Sequence, residues 1–157
     1  MNKYKLIVFG DEWDVYKVAY RDWIENPKIV YIPTFRPQGF LGTLQRLHLN
    51  PKLNAVVNLP WKWMWNKCIL RDVGKGRMCF LILDKWLRME GGIALLPYLR
   101  EHYPDAMIVC YAQDLLEKIE DLYWKRAVDV DYVKMYADLF VSYDKDDAAR
   151  YGILYYP

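Results

Sequence analysis

Residues 78–83 read M-C-F-L-I-L, an unbroken apolar run that follows the turn glycines Gly74 and Gly76 and stops at Asp84. Six residues is the length of a strand, and a run with no polar alternation suits a strand covered on both faces, the setting of a parallel sheet. Working outward, comparable runs rich in β-branched and aromatic residues recur at Tyr4 to Phe9, Lys28 to Ile32, Ala106 to Tyr111, Leu139 to Ser142 and Ile153 to Tyr156. Segments of helical period separate them. Residues 12–25 read as a helix with Asp11 as N-cap, and Trp61 to Arg71 carries an apolar stripe of Trp61, Met64, Trp65, Cys68 and Ile69. Gly91 and Gly92 open a segment through His102 whose helix is kinked or started by Pro97. Residues 114–126 and 129–137 read as two helices or one broken one, and Asp144 to Tyr151 as a short helix ended by Gly152 at C′. Residues 33–60 hold four of the eight prolines and read as irregular. About six strands with helical crossovers predict an α/β fold, a Rossmann-like three-layer sandwich with a mostly parallel sheet.

The 157 residues, 54% hydrophobic and 27% charged, match one globular domain spanning residues 1–157 and exclude disorder. Net charge is only +2, which gives no signal for nucleic acid, and no nucleic-acid partner is expected. Residues 51–100 carry 9 basic and 3 acidic groups and residues 101–157 carry 6 and 12, so the charge is divided along the chain. Cys68, Cys79 and Cys110 form no C-x-x-C pair and no zinc spacing with His48 or His102, and they read as reduced thiols. No run approaches the roughly 20 apolar residues of a membrane span, and Leu6 to Phe9 is too short for a signal-peptide core. The expected compartment is the cytoplasm.

Ligands of open α/β sheets collect beyond the carboxyl ends of the strands. The sequence places Gly10, Asp11, Glu12 and Trp13 there, with Asp84, Lys85 and Trp86, then Gln113 and Asp114, then Tyr143, Asp144 and Lys145. Asp11, Asp84 and Asp114 are the candidate catalytic carboxylates, since an acid at such a point acts as a base or caps the next segment. Gly10, Glu12, Trp13, Lys85, Trp86, Gln113 and the adjacent Gly91 and Gly92 are candidate substrate-binding residues, the glycines because their backbone N–H groups can face a ligand. G-x-G-x-x-G and G-x-x-x-x-G-K-[ST] are both absent, so no dinucleotide or P-loop chemistry is implied; no cofactor and no metal are expected. Lys and Trp alternate around Trp63 as in interfacial helices, though the apolar stripe already accounts for Trp61 and Trp65.

The stretch Asp138 to Pro157, D-L-F-V-S-Y-D-K-D-D-A-A-R-Y-G-I-L-Y-Y-P, resembles the end of the N-terminal domain of bacterial GT-B glycosyltransferases, above all those of capsule or lipopolysaccharide assembly. G-D-E-W-D at Gly10 to Asp14, G-G-I-A-L-L-P-Y-L-R at Gly91 to Arg100 with Tyr103 and Pro104, and Y-A-Q-D-L at Tyr111 to Leu115 are similar in order and spacing. The resemblance implies a domain that binds a saccharide or lipid-linked saccharide acceptor and touches the inner face of the cell membrane peripherally. It further implies a second, donor-binding domain or partner chain, which this sequence lacks. Without it no residues stabilise the leaving nucleoside diphosphate, and the chain is expected to be inactive alone. In this setting Asp11 or Asp84 would deprotonate the acceptor hydroxyl, and Trp13 or Trp86 would stack on a sugar ring.

Two other classes compete. A phosphoacceptor receiver would use Asp11, Glu12, Asp84 and Lys145 around Mg²⁺, although the gap of roughly 70 residues before Asp84 is long for that fold. A structural, partner-binding subunit would use the 17% aromatic content, with 14 Tyr and 7 Trp, as an interface.

Overall fold

The computed structural model describes residues 4–10, 21–33, 76–88, 90–117 and 127–157. Among these residues six strands form one sheet in the order β2-β1-β3-β4-β5-β6. They are β1 Lys5–Gly10, β2 Ile29–Pro33, β3 Met78–Leu83, β4 Met107–Ala112, β5 Leu139–Ser142 and β6 Leu154–Tyr155, and every pairing is parallel. Helices flank the sheet: α1 Arg21–Ile24, α2 Asp84–Arg88, α3 Glu90–His102, α4 Val130–Tyr136 and α5 Lys145–Tyr151. The molecule is an α/β sandwich of the Rossmann-like kind.

The apolar strand runs explain the layers. On one face Ile7, Phe9, Phe80, Ile82, Ile108, Cys110 and Phe140 pack with residues of α2, α3 and α4 into the main core. On the other, Val8 and Leu83 are buried with Leu6, Leu81, Ile29, Tyr31 and Trp23 of α1 around them. Successive residues of β1 and β3 therefore enter opposite layers, which is why these strands are apolar throughout. Burial pushes the Cys110 thiol well above its ordinary range, and Cys79 and Cys110 are both free thiols.

Three segments depart from the sequence reading. Residues 114–117 are not helical. Asp84–Arg88 is a helix that the sequence reading passed over, and α3 begins at Glu90 with Pro97 in its interior. The expected helices at 61–71, 12–20 and 118–126, and the irregular stretch at 34–60, lie outside the described residues. At the C-terminal end, Asp144 caps α5 by accepting from the Asp147 N–H, and Gly152 closes it at φ 59° and ψ 47°, a left-handed conformation that glycine adopts without strain.

Asp138 ties the amino ends of β4 and β5 together. Its Oδ2 accepts from the Ile108 N–H at 2.7 Å and from Arg100 Nη2 at 3.0 Å. Burial pulls this carboxyl up, but the Ile108 N–H and the Arg100 guanidinium outweigh it and hold the carboxyl below its ordinary value. A group depressed in the folded state contributes stability above its unfolded value and loses it as pH falls. Asp138→Asn is therefore expected to flatten the acid limb of the stability profile below about pH 4. Urea midpoints measured across that range check this; an unchanged acid limb would refute it.

Candidate functional site

The order β2-β1-β3 makes a switch point, because the next two strands in sequence, β2 and β3, lie on opposite sides of β1. The carboxyl ends of β1 and β3 flank it, bringing Gly10 beside Asp84 and Trp86. The Trp86 indole N–H donates to the Gly10 carbonyl oxygen at 2.9 Å, and its ring meets Phe9 edge to face at a centroid distance of 5.1 Å. Trp86 is 1% exposed. This corrects the expectation that it stacks on a sugar: the ring is a core residue with no open face.

Asp84 also takes a different role from the one expected. It is buried in the first turn of α2, and Arg88, one turn on, engages both its oxygens: Nε to Oδ2 at 2.8 Å and Nη2 to Oδ1 at 3.1 Å. A carboxylate gripped by a guanidinium fork is an anchor rather than a base, because each oxygen already carries a charge-assisted hydrogen bond. Lys85 beside it is half-buried.

Gly10 has a steric reason to be glycine. A Cβ there would lie 2.0 Å from the Tyr31 hydroxyl oxygen and 2.3 Å from ring carbon Cζ. Gly10→Ala must displace the Tyr31 ring and is expected to cost about 1–3 kcal/mol, with Tyr31→Ala in the same chain removing most of that penalty. Thermal melts of the two single variants and the double test this, and simple additivity would refute it.

Gln113 and Asp114 follow β4, half-buried, and Asp114 Oδ1 accepts from the Leu115 N–H at 3.0 Å. Asp84 and Asp114 thus stand at the ends of adjacent strands on one rim. Gly91 and Gly92 fall in the first turn of α3, where backbone N–H groups lack intrahelical partners. Asp11, Glu12 and Trp13 lie outside the described residues. Beyond β5, Tyr143 is raised in pKa by burial and by the nearby Asp144, Asp147 and Asp84 carboxylates, so these acids share one neighbourhood. Lys145 is exposed at the start of α5.

The sequence reading missed Arg88 and Asp147. Arg88 had a signal, its i, i+4 spacing from Asp84. Asp147 sits three residues after its N-cap, the position from which a side chain ordinarily turns back to the cap. Instead its Oδ2 accepts from the Leu116 N–H at 2.7 Å, a partner 31 residues away. Among the described residues no group of three or more His, Cys, Asp or Glu could hold a metal ion, and no helix is long and apolar enough to cross a membrane.

No family model matches the chain, and no curated protein does. Solved structures similar to it include that of two RcsB dimers bound to two parallel DNAs, at 11% identity and a TM-score of 0.40. The match covers 99% of this chain, which spans 65% of the RcsB chain's length. That structure contains DNA, against the expectation of no nucleic-acid partner; the expectation is withdrawn, because it rested on net charge and a near-neutral value does not exclude nucleic acid. A likeness this distant assigns no DNA-binding role to the chain.

Proposed function

We propose that the chain is the acceptor-side domain of a glycosyltransferase for bacterial cell-surface polysaccharide, requiring a donor-binding lobe for turnover. The observation that carries this reading is the course of Asp138 to Pro157. There the strand ending in Ser142, the Asp144 cap, the short helix α5, the Tyr151–Gly152 stop and β6 follow the succession in which the sequence resembles GT-B acceptor domains. The rim fits the same division of labour. Besides the Arg88-paired Asp84 it sets Asp144 and Asp147 near Tyr143, carboxylates that suit hydroxyl donors. With Asp84 tied to Arg88, deprotonation of the acceptor falls to Asp114 or Asp11.

Purified chain incubated with radiolabelled UDP-glucose and GDP-mannose should release no nucleoside diphosphate. Turnover by the chain alone would overturn the reading.

The order β2-β1-β3-β4-β5 favours a second reading, because among open sheets it is also the order of phosphoacceptor receivers. Against it stands Asp84, which a receiver would present to a phosphodonor and which here is held by Arg88. Incubation with acetyl phosphate and Mg²⁺ should leave no acid-stable, base-labile acyl phosphate; stoichiometric labelling at Asp84 would decide for the receiver.

A further inference from the structure

One peptide group on the rim is gripped at both of its polar atoms by buried charged side chains. The carbonyl oxygen of Leu115 accepts from Arg88 Nη2, and the N–H of Leu116, the other half of the same peptide, donates to Asp147 Oδ2 at 2.7 Å. The cation belongs to α2, after β3, and the anion to α5, after β5, so elements on either side of β4 converge on the loop that leaves it. Each side chain is itself held. Asp84 takes two of the Arg88 hydrogen bonds, the Asp147 N–H donates to Asp144 Oδ1 at 2.8 Å, and the Asp144 N–H donates to Ser142 Oγ at 3.0 Å. Arg88 and Asp147 are both 6% exposed.

Packing does not require this arrangement. Burying ions is expensive, and apolar side chains of similar volume would seat a loop as firmly. What the two ions add is direction: the peptide is fixed in one orientation, with Leu116 turned into the core and Leu115 turned out. We infer that Arg88 and Asp147 are positioning residues of the rim, which hold the Leu115–Leu116 peptide so that Gln113 and Asp114 stand preformed at the end of β4. Resting on the acceptor reading, this assigns them the task of sparing a saccharide the cost of ordering that loop as it binds.

Amide hydrogen exchange followed by NMR tests the inference on the full chain. In Arg88→Lys a single ammonium cannot span Asp84 and the Leu115 carbonyl, so the Leu116 amide should exchange at least about tenfold faster while Val8 and Phe80, in the central strands, keep their protection. Asp147→Ala should do the same, and Asp147→Asn, which keeps an oxygen for the Leu116 N–H, should restore most of the protection. Unchanged exchange at Leu116, or an equal loss at Val8 and Phe80, would overturn the positioning role. If Arg88→Lys does not fold, the Asp147 pair decides. A separate titration of the wild-type chain with cellotriose, chitotriose and mannotriose distinguishes the two claims. Shifts at Gln113 and Asp114 support the acceptor reading; their absence with all three defeats it and leaves the clamp to the exchange data.

Discussion

Trp86→Ala is expected to remove about 3–5 kcal/mol of folding stability, a large share of the roughly 5–15 kcal/mol that holds a domain of this size. The indole fills the angle between α2 and β1, touching Phe9, and is among the largest fully buried side chains described. Alanine leaves a cavity there and orphans the Gly10 carbonyl, whose bond to the indole N–H crosses 76 residues of sequence. Trp86→Phe separates the two terms. It keeps most of the apolar volume and loses the hydrogen bond, and should cost about 1–3 kcal/mol. Urea denaturation of the three proteins checks the order. A Trp86→Ala variant within about 1 kcal/mol of wild type would mean that the ring is not the keystone its burial suggests.

The second large effect is expected from Arg88→Met. It takes from the buried Asp84 carboxylate the guanidinium that engages both its oxygens and takes a donor from the Leu115 carbonyl, a loss of about 3–5 kcal/mol. The same physics predicts recovery when the other ion is also removed. Asp84→Leu combined with Arg88→Met should regain most of the stability, because the cost lies in an uncompensated charge and not in the absence of a pair. Denaturation midpoints of the double and single variants measure this coupling, and a double variant as unstable as the sum of its parts would contradict it.

The strands were legible because the sheet is parallel and covered on both faces. β3 and β5 have the bounds their apolar runs predict, and β1, β2 and β4 begin one residue later than read, at Lys5, Ile29 and Met107. α2 escaped notice because five residues cannot display a helical period. The loop at 114–117 read as helix since Leu115 and Leu116 suit one locally. Its course is set by Arg88 and Asp147, 27 and 31 residues away, which no local pattern encodes. For the site, position was legible and role was not. The residues after β3 and β4 do lie on one rim, yet residue type alone could not tell a sugar platform from a core ring at Trp86. Nor could it tell a base from an anchored ion at Asp84. Both distinctions depend on which way the side chain faces and on what meets it.

The pairing of β1 with β3, from Lys5↔Met78 to Phe9↔Ile82, joins segments more than seventy residues apart at the middle of the sheet. A nascent chain can pair its first strand with β2 early, but the other edge of β1 stays open until β3 has been synthesised, and closing so wide a loop comes before any reward from that contact. Slow folding is the expected kinetic counterpart of this topology, and refolding yields should fall as protein concentration rises.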